Sequence, residues 1–391
     1  MMVLAGPRES DIAAGIEGAA GTAVARRCAD LAEGLSVCTA GVGDVLLVSA
    51  LTELDRRAVN RVAKKGIAVV GIPSSEAEHD RLLNLGIATV LPIDASTDDV
   101  VVAVREAGAE QAPEPPADEG ANDVRGEVVA VWSPVGSWGS TTIAVNLATE
   151  MADAGETITL IDLDSYGASI APMLGLSNES SGVAAVARTL ISGGRALSTV
   201  DENLLFVSER LGVLTGLSRP DRWAEVPEES IAPLLEAARQ RSDVVVADVG
   251  FCLEKRSQGG AGAERNDAAR AVIAAADRVV AVAGADPVGV QRFVSAWPEF
   301  SSVCRSEAEI VVVANRVRSA VAGLRPREAV ADVLARYAGI EEVWTVPDEP
   351  ATFDAALVAG TTLTELRTHS PARAAIAAIA KHCRIPVPVH A

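Results

Sequence analysis

The sequence has few aromatic residues, no long apolar run and no paired cysteine motif. Aromatic residues make up 3% of the 391 positions while 49% are hydrophobic, so Ala, Val, Leu and Ile must build the core. Such a core suits helices that pack on buried parallel strands. Because no stretch of about 18 apolar residues occurs, we expect no membrane-spanning segment. The N-terminus lacks a basic stretch before an apolar core, so we expect no signal peptide and a cytoplasmic protein.

Basic residues are scarce relative to acidic ones. The chain has 34 Lys and Arg against 53 Asp and Glu, which gives a formal net charge of −19. An acidic surface repels phosphate backbones, so strong nonspecific binding to nucleic acid is disfavoured. The five cysteines form neither a CxxC motif nor a zinc-ligand spacing, and this scatter is typical of a protein from a reducing cytosol.

An acidic, proline-rich segment divides the chain. Residues 108–126 read GAEQAPEPPADEGANDVRG and offer almost nothing to bury, so they are predicted to form a flexible linker. The predicted organisation is therefore a small domain over residues 1–107, the linker 108–126 and a larger domain over residues 127–391. In both domains short apolar runs alternate with helical patterns, which predicts α/β folds with parallel sheets.

The predicted strands are short apolar runs bounded by turn residues. In the small domain the predicted strands are Asp44–Ser49, Ile67–Ile72 and Ala88–Ile93, and the predicted helices are Leu54–Lys64, Glu76–Leu85 and Thr97–Ala107. In the larger domain the predicted strands are Glu127–Trp132, Thr157–Asp162, Asn203–Thr215, Val244–Asp248, Arg278–Ala283, Glu309–Ala314 and Val343–Val346. Ala-rich helical stretches separate most of them, so we expect one doubly wound parallel sheet in the larger domain.

The small domain resembles a response-regulator receiver domain in the order of its elements. A working receiver needs an acidic pair after its first strand, a phosphoacceptor Asp after its third and a Lys after its fifth. Here the first strand leads into AGPRESD, Ser49 or a neighbour stands at the acceptor position, and the fifth strand ends in Leu91-Pro92-Ile93-Asp94. We therefore expect a docking or dimerisation module that does not accept phosphate.

The segment from Val128 to Gly155 has the layout of a phosphate-binding loop between a strand and a helix. It reads VVAVWSPVGSWGSTTIAVNLATEMADAG, and its GSTT step matches the G-K-T-T of a P-loop except for the Lys. In a P-loop the backbone N–H groups surround the phosphates, the Lys neutralises them and the Ser/Thr holds Mg²⁺. Alternatively, the segment is only a strand-to-helix turn whose glycines serve the backbone.

Acidic residues follow two of the predicted strands. IDLD delivers Asp162 and Asp164, and VVVAD ends in Asp248 at the carboxyl edge of the sheet. Ligands of open α/β sheets bind at that edge, so Asp248 is a candidate to hold the water shell of Mg²⁺. Asp164 can instead cap the turn before Gly167, because Asp readily accepts from backbone N–H groups just ahead of it.

In this order, and together with the phrases TTIAVNLA and TLIDLDSYGAS, these motifs resemble those of the MinD/ParA group of P-loop ATPases over nearly all of Val128–Cys383. The resemblance implies that Thr141 and Asp248 hold Mg²⁺ and that Asp164 lies near the attacking water. It implies an ATP or ADP site formed by Gly136, Ser137, Trp138, Gly139, Ser140, Thr141, Thr142, Asn315, Pro347 and Asp348. Asn315 would contact the adenine, although an Asn at that point can also cap a helix or turn.

The loop departs from the family's K-G-G-x-G-K-T-T pattern at both lysines. Val135 replaces the signature Lys that reaches across a dimer, and Ser140 replaces the P-loop Lys. Each charge-assisted contact to a phosphate is worth about 1.5–3 kcal/mol, so we expect weak ATP binding and slow or absent hydrolysis. Trp138 is either an exposed anchor of a dimer interface or a side chain that folds back onto its own domain.

A receiver-like module joined to a MinD-like domain is similar to the CpaE/TadZ branch, which positions pilus and secretion machinery, and to septum-site and chromosome-partitioning proteins. The resemblance implies a homodimeric spatial regulator that acts through protein partners and is cytoplasmic or peripheral at the inner face of the membrane. Two alternatives are an active ATPase that tolerates Ser140, with an Arg entering from elsewhere, and a Rossmann-type dinucleotide enzyme. The second is disfavoured because GSWGST lacks G-x-G-x-x-G. The C-terminal helix Pro371–Cys383 favours core packing over membrane binding, because its basic residues are few.

Overall fold

The computed structural model describes residues 1–4, 8–109, 126–136, 138–177, 180–255, 264–366 and 369–384. These residues divide into two units of unequal size. The smaller unit takes Met1–Asp123 and Arg188–Ala196, and the larger unit takes Val124–Ala187 and Leu197–Ala391. The first division falls inside the predicted linker, most of which lies outside the described residues.

The smaller unit contains a parallel sheet of short strands. Its strands are β1 (Met2–Val3), β2 (Val45–Ser49), β3 (Ala68–Ile72) and β4 (Thr89–Val90), paired in that order. An isolated parallel bridge joins Met2 to Arg27 on the other side of β1. Its helices are α1 (Glu9–Gly18), α2 (Leu31–Thr39), α3 (Arg56–Ala63), α4 (Glu76–Asn84) and α5 (Thr97–Ala109). The strands and helices predicted for residues 44–107 are thus present, with β4 shorter than predicted.

Side-chain caps explain where three of these helices begin. Asp30, Asp55 and Ser75 precede α2, α3 and α4, and each accepts a hydrogen bond from a backbone N–H of the first turn. Such caps satisfy N–H groups that have no partner inside the helix. The apolar faces of the helices then cover β2 and β3, whose central residues Leu46, Leu47, Val48 and Val70 are buried.

The larger unit is built on one mostly parallel sheet. Its strands are β5 (Glu127–Trp132), β6 (Ile158–Leu163), β7 (Leu205–Ser208), β8 (Leu211–Leu214), β9 (Val244–Val249), β10 (Arg278–Gly284), β11 (Glu309–Val317) and β12 (Trp344–Pro347). Their order is β12-β11-β10-β5-β9-β6-β8-β7, and only β7 is antiparallel to its neighbour. The predicted doubly wound sheet is therefore confirmed, with β5 at its centre.

One predicted strand of this sheet is wrong. The apolar run Asn203–Thr215 was expected to form a single strand, but it forms the antiparallel hairpin of β7 and β8. Polar residues Glu209 and Arg210 make the turn between the two strands. Only β8 is buried and pairs with β6, whereas β7 is an edge strand with Leu205 and Phe206 exposed.

Helices flank the sheet of the larger unit. They are α6 (Ser140–Asp153), α7 (Ile170–Met173), α8 (Gly182–Ile191), α9 (Ala196–Asn203), α10 (Ile231–Arg241), α11 (Asp267–Ala275), α12 (Pro287–Val303), α13 (Ser319–Ala322), α14 (Pro326–Ala338), α15 (Pro350–Ala359) and α16 (Pro371–Cys383). The end of α8, from Arg188, and the first residue of α9, Ala196, are assigned to the smaller unit. Two 3-10 helices, Pro220–Glu225 and Glu228–Ser230, precede α10. No helix in the described part of the chain is both long and apolar enough to cross a membrane.

The C-terminal helix α16 packs into the core of the larger unit. Ile376, Ile379 and Cys383 are fully buried and belong to the same apolar cluster as α6. Its apolar face is therefore already covered, which confirms core packing as the role of this helix. All five cysteines of the chain are free thiols, as their scattered spacing indicates.

Candidate functional site

The loop between β5 and α6 contains two glycines with positive φ angles. Gly139 is the N-cap of α6 at φ 85° and ψ 28°, and Gly136 also has a positive φ of 132°. Only glycine adopts such angles without strain. A Cβ at Gly139 would also lie 2.7 Å from Nδ2 of Asn315, so space as well as conformation demands glycine. Both glycines are therefore needed by the backbone of this strand-to-helix turn, a role that was given above as the alternative to phosphate binding.

A cavity of about 400 Å³ opens beside this loop, at the carboxyl ends of β5, β6 and β9. Six predicted site residues line it: Gly136, Gly139, Ser140, Thr141, Thr142 and Asp164. Ser137, which was also predicted, lies outside the described residues. An apolar groove of about 580 Å³ between α12 and α14 is larger, but it contains none of the predicted site residues. We therefore place the candidate site at the loop.

Two positions that carry lysine in the resembling family are uncharged here. The hydroxyl of Ser140 accepts a hydrogen bond from the Ser133 hydroxyl at 3.1 Å, so it stays at the base of the loop. The side chain of Val135 is half exposed and apolar. Neither residue can neutralise a phosphate, and the loop alone can offer only backbone N–H groups and hydroxyls.

Trp138 is buried rather than exposed at the loop. Only 8% of its surface is accessible, and its ring lies on Gly284, where a Cβ would come within 2.2 Å of Cε3. Its indole Nε1 donates to the carbonyl oxygen of Val135 at 3.1 Å. The guanidinium of Arg292 lies 5.9 Å from the ring centroid. Of the two placements expected for Trp138, the exposed interface anchor is therefore wrong, and the side chain that folds back onto its own domain is confirmed.

Asn315 ties β11 to the loop. Its Nδ2 donates to the carbonyl oxygen of Trp138 at 2.7 Å, and its Oδ1 accepts from the N–H of Arg316 at 2.9 Å. Pro347 ends β12, and Asp348 forms an ion pair with Arg318 at 2.9 Å. Asn315, Pro347 and Asp348 are not among the residues that line the cavity, so the structure does not bring the predicted base contacts to it.

Two buried carboxyls lie on neighbouring strands, close to the strand ends that border the cavity. Asp162 on β6 and Asp248 on β9 occupy paired positions of neighbouring strands, and each is only 1% exposed. Asp162 accepts from the N–H groups of Ser169 and Ile170 at 2.9 and 3.0 Å. Burial nevertheless raises the pKa of Asp162 to about 7. Burial thus disfavours the charged form of this carboxyl even though backbone N–H groups stabilise it.

Asp248, the second of these acids, is not satisfied by hydrogen bonds from the described residues. Neither of its carboxyl oxygens has a hydrogen-bond partner among the described residues. Burial, and next the charge of Asp162, raises the pKa of Asp248 well above its ordinary value. The Thr141 hydroxyl favours the charged form of Asp248, but its geometry falls short of a hydrogen bond. A buried carboxyl without a partner costs stability unless a cation or a proton compensates it.

Asp164 follows the first of these strands and turns back on its own backbone. Its Oδ1 accepts from the N–H of Tyr166 at 2.8 Å, which is the turn-capping role given as the alternative to catalysis. The other oxygen stays near Gly167, and the residue lines the cavity. The turn therefore fixes the carboxylate at the cavity wall and does not exclude a second role there.

An aromatic wall borders the cavity, and sequence reasoning missed it. The rings of Tyr166 and Phe251 are 4.6 Å apart, one in the loop after β6 and the other after β9. The Tyr166 hydroxyl donates to Oδ1 of Asn266 at 2.7 Å, and the guanidinium of Arg265 lies 3.8 Å from the ring. The sequence position of these aromatics could have indicated the wall, because each follows within a few residues of a strand that carries an aspartate near its end.

Arg316 is a second residue that the sequence did not single out. It lines the cavity and is the sole described residue other than glycine with a positive φ, at 59°. This conformation costs an L-residue about 1–2 kcal/mol. Ala314 pairs with Thr345 and Val317 pairs with Pro347, so β11 has one more residue between these pairs than β12. A bulge therefore lies at Asn315 and Arg316. Bulges commonly redirect a side chain beside a functional site.

Solved structures share the fold of the larger unit. A ParA family ATPase from Chlorobium tepidum matches with a TM-score of 0.54 at 16% identity, over 66% of this chain and 99% of that chain. The larger unit has the fold of the ParA and MinD P-loop NTPases. A cell division ATPase MinD from Pyrococcus furiosus matches with a TM-score of 0.52 at 16% identity, over 66% of this chain and 98% of that chain.

A third match is a nucleotide complex with the same ParA and MinD fold. The septum site-determining protein MinD of Pyrococcus horikoshii, complexed with Mg-ADP, gives a TM-score of 0.51 at 15% identity, over 66% of this chain and 95% of that chain. A family model described as ParA, NUBPL iron-transfer P-loop NTPase, matches residues 125–199. No curated protein matches the chain significantly. The predicted α/β fold class is thus confirmed.

Proposed function

We propose that this chain is a nucleotide-responsive spatial regulator of the MinD/ParA type that binds Mg·ATP or Mg·ADP weakly and hydrolyses ATP slowly or not at all. The observation that carries the proposal is Asp248, a buried carboxyl with no described hydrogen-bond partner beside Thr141. A site that keeps such a group uncompensated is suited to a cation. Its position at the carboxyl edge of the sheet suits a ligand.

The residues present fit a magnesium ion only in company with a phosphate. The described residues contain no group of three or more His, Cys, Asp or Glu that could hold a metal by itself. Thr141 and Asp248 would hold Mg²⁺, while the N–H groups of Gly139 and Thr142 would face the phosphates. The ion, when bound, neutralises charge on the phosphate oxygens. Asp164 is the residue we propose beside the attacking water.

The loop supports weak rather than tight binding. Val135 and Ser140 supply no charge, and each missing charged contact to a phosphate removes about 1.5–3 kcal/mol of favourable free energy. The loss acts on the transition state as well, because a P-loop Lys neutralises the transferred phosphoryl group. The second candidate is an active ATPase with a variant loop. It is favoured by one observation, namely an arginine, Arg316, in the wall of the cavity.

We further propose that regulation works through a homodimer and protein partners rather than through nucleic acid. The net charge of −19 disfavours contact with a phosphate backbone. With Val135 at the signature position, an interface bridged by a Lys across two nucleotides cannot form. The machinery would be of the pilus, secretion, septum or partition type, and peripheral membrane association would come through such partners, because α16 is buried.

The smaller unit is proposed to be a receiver-like docking module. With the bridge at Arg27 counted as an extended segment, its strand order is 2-1-3-4-5, which suits the flavodoxin-like arrangement of receiver domains. Ser49 ends β2 at the position of the phosphoacceptor in that arrangement. A hydroxyl there supplies neither the carboxylate nor the metal site that phosphate acceptance needs, so the module would dock without being switched.

The test is the magnesium dependence of ATP binding, measured by calorimetric titration of the full chain. Wild type should bind ATP measurably with Mg²⁺ and at least tenfold more weakly in EDTA. Asp248→Asn, which keeps the shape of the side chain, should lose that difference. Asp243→Asn is the matched control, because Asp243 precedes the same strand but lies away from the cavity. Equal affinities with Mg²⁺ and with EDTA in wild type would contradict the proposed site.

A further inference from the structure

We infer that Arg316 supplies the positive charge for the terminal phosphates of the nucleotide, in place of the lysine that Ser140 replaces. This inference rests on the proposed function, since it concerns the same site. Arg316 is the sole Lys or Arg among the described residues that line the cavity. Arg316 would thus make, from the wall of the cavity, a contact that the side chains of the loop cannot make.

The charges around the cavity require such a residue. Asp164 lines the cavity and both Ser140 and Val135 of its loop are uncharged, so apart from Arg316 the described lining residues offer no cation to a polyanion. Mg²⁺ compensates part of this charge, but the oxygens that the metal does not contact need a further cation. A planar guanidinium with several N–H donors matches the geometry of phosphate oxygens well.

The side chain of Arg316 is free to make this contact. It is exposed, and it forms no ion pair or side-chain hydrogen bond with any residue that the structure describes. The other arginine near the loop is already engaged. Arg292 donates to the carbonyl oxygen of Val135 at 3.3 Å and lies near the ring of Trp138. The loop is thus supported by Arg292, while Arg316 remains available to a ligand.

The backbone of Arg316 is held in a conformation that aims this side chain. Its positive φ of 59° falls in the bulge of β11, where the strand has one more residue than its partner β12. A residue in a regular strand would continue the alternation of that strand, whereas the bulge breaks it. Strained conformations of residues other than glycine cluster at ligand clamps, so a strained arginine in a cavity wall points to binding.

Asn315 fixes the arginine relative to the loop. The same side-chain amide donates to the carbonyl oxygen of Trp138 and accepts from the N–H of Arg316, at 2.7 and 2.9 Å. One residue therefore joins the phosphate loop to the bulge. Asn315 acts as a positioning residue in this arrangement, and its amide is used for that purpose rather than for direct contact with the cavity.

The test is a calorimetric titration of the full chain with Mg·ATP and with AMP. Arg316→Gln should weaken Mg·ATP binding about tenfold or more, because it removes a charged contact. Arg316→Lys should retain most of the affinity. Arg336→Gln removes the same charge from an exposed position on α14 and should leave the affinity unchanged. AMP lacks the terminal phosphates, so its affinity should change less than about twofold in all variants.

A second variant guards against a folding defect. Arg316→Gly removes the same charge but suits the left-handed conformation, so it should melt no lower than wild type while losing Mg·ATP affinity as Arg316→Gln does. The inference is overturned if both variants bind Mg·ATP as wild type does, or if they lose ATP and AMP affinity equally. Wild type that binds no Mg·ATP up to about 10 mM would instead sink the proposed function, and the inference with it.

Discussion

Asp162 and Asp248 stand opposite each other on the neighbouring parallel strands β6 and β9, and both carboxyls are almost completely buried. The two differ in how they are satisfied. Asp162 accepts hydrogen bonds from backbone N–H groups at the start of α7, whereas Asp248 has no hydrogen-bond partner among the described residues. The strand pairing thus places an unsatisfied acid next to a satisfied one, at the sheet edge where the loop between β5 and α6 begins.

Replacement of the unsatisfied acid should stabilise the protein. The pKa of Asp248 is raised in the folded state, so the folded protein keeps a proton on this carboxyl at pH values where the unfolded chain, with an ordinary pKa near 3.8, has released it. Stability contributed by the protonated form is therefore present at low pH and falls as pH rises above that value. Asp248→Asn removes this loss, so it should raise the free energy of unfolding at pH 8 by about 1–3 kcal/mol.

The measurement is denaturant unfolding of wild type and Asp248→Asn at pH 5 and pH 8. The gain should be larger at pH 8, and Asp243→Asn should show no comparable gain. A variant that is less stable than wild type at both pH values would show that Asp248 has a favourable partner in the folded protein. A variant that gains stability and loses ligand binding is a common result where a polar group is left without a partner in order to bind a ligand.

Restoring one charge to the loop should restore part of the affinity for nucleotide. Ser140→Lys should strengthen Mg·ATP binding about tenfold or more, because one charged contact of about 1.5–3 kcal/mol returns. Ser140→Met is the matched control, with a similar chain length but no charge. Adding Val135→Lys tests whether slow turnover returns as well. No gain for Ser140→Lys over Ser140→Met in calorimetry would mean that the loop does not face the phosphates.

Trp138 should matter for folding rather than for assembly. Its ring is buried on Gly284, so Trp138→Ala should lower the free energy of unfolding by about 3 kcal/mol or more. Sedimentation should give the same oligomeric state for wild type and for Trp138→Ala. If Trp138→Ala melts like wild type but forms a smaller oligomer, Trp138 would contribute to a subunit interface, which would contradict this prediction.

A double-mutant cycle locates the contact of this tryptophan. Gly284→Ala places a Cβ within 2.2 Å of Cε3 of Trp138, so alone it should cost about 1–3 kcal/mol. In the Trp138→Ala background most of that cost should disappear, since the ring is gone. Thermal melts of the four proteins give the coupling directly. Independent, additive costs would place the ring elsewhere.

The sequence predicted the framework of the site better than its details. Apolar runs ending in acids located β6 and β9, and the spacing of glycines located the turn between β5 and α6. The orientation of Trp138 was not predictable, because it depends on Gly284 and Asn315, which lie far away in the chain. The exposure of Arg316 to the cavity depends on a bulge between β11 and β12. No local pattern of residues records such a register shift.

The smaller unit should not accept phosphate. Ser49 ends β2 where an acceptor carboxylate would be needed. Incubation of the full chain with acetyl phosphate and Mg²⁺, followed by mass spectrometry of its peptides, should show no phosphoryl adduct on a carboxylate. Ser49→Asp is the informative comparison, and it should also remain unmodified, because the metal-binding acids and the Lys are missing as well. A stoichiometric acyl phosphate on wild type would contradict the proposed docking role.

The nucleotide chemistry of the wild-type chain distinguishes a weak nucleotide binder from an active ATPase most directly. Mg·ATP affinity by calorimetry and phosphate release over hours, measured on the same preparation, test it together. We predict a dissociation constant of roughly 100 μM or weaker and no phosphate release above the rate of the Asp164→Asn variant. Binding at low micromolar concentration, with steady hydrolysis that Asp164→Asn abolishes, would contradict the account and favour an active ATPase with a variant loop.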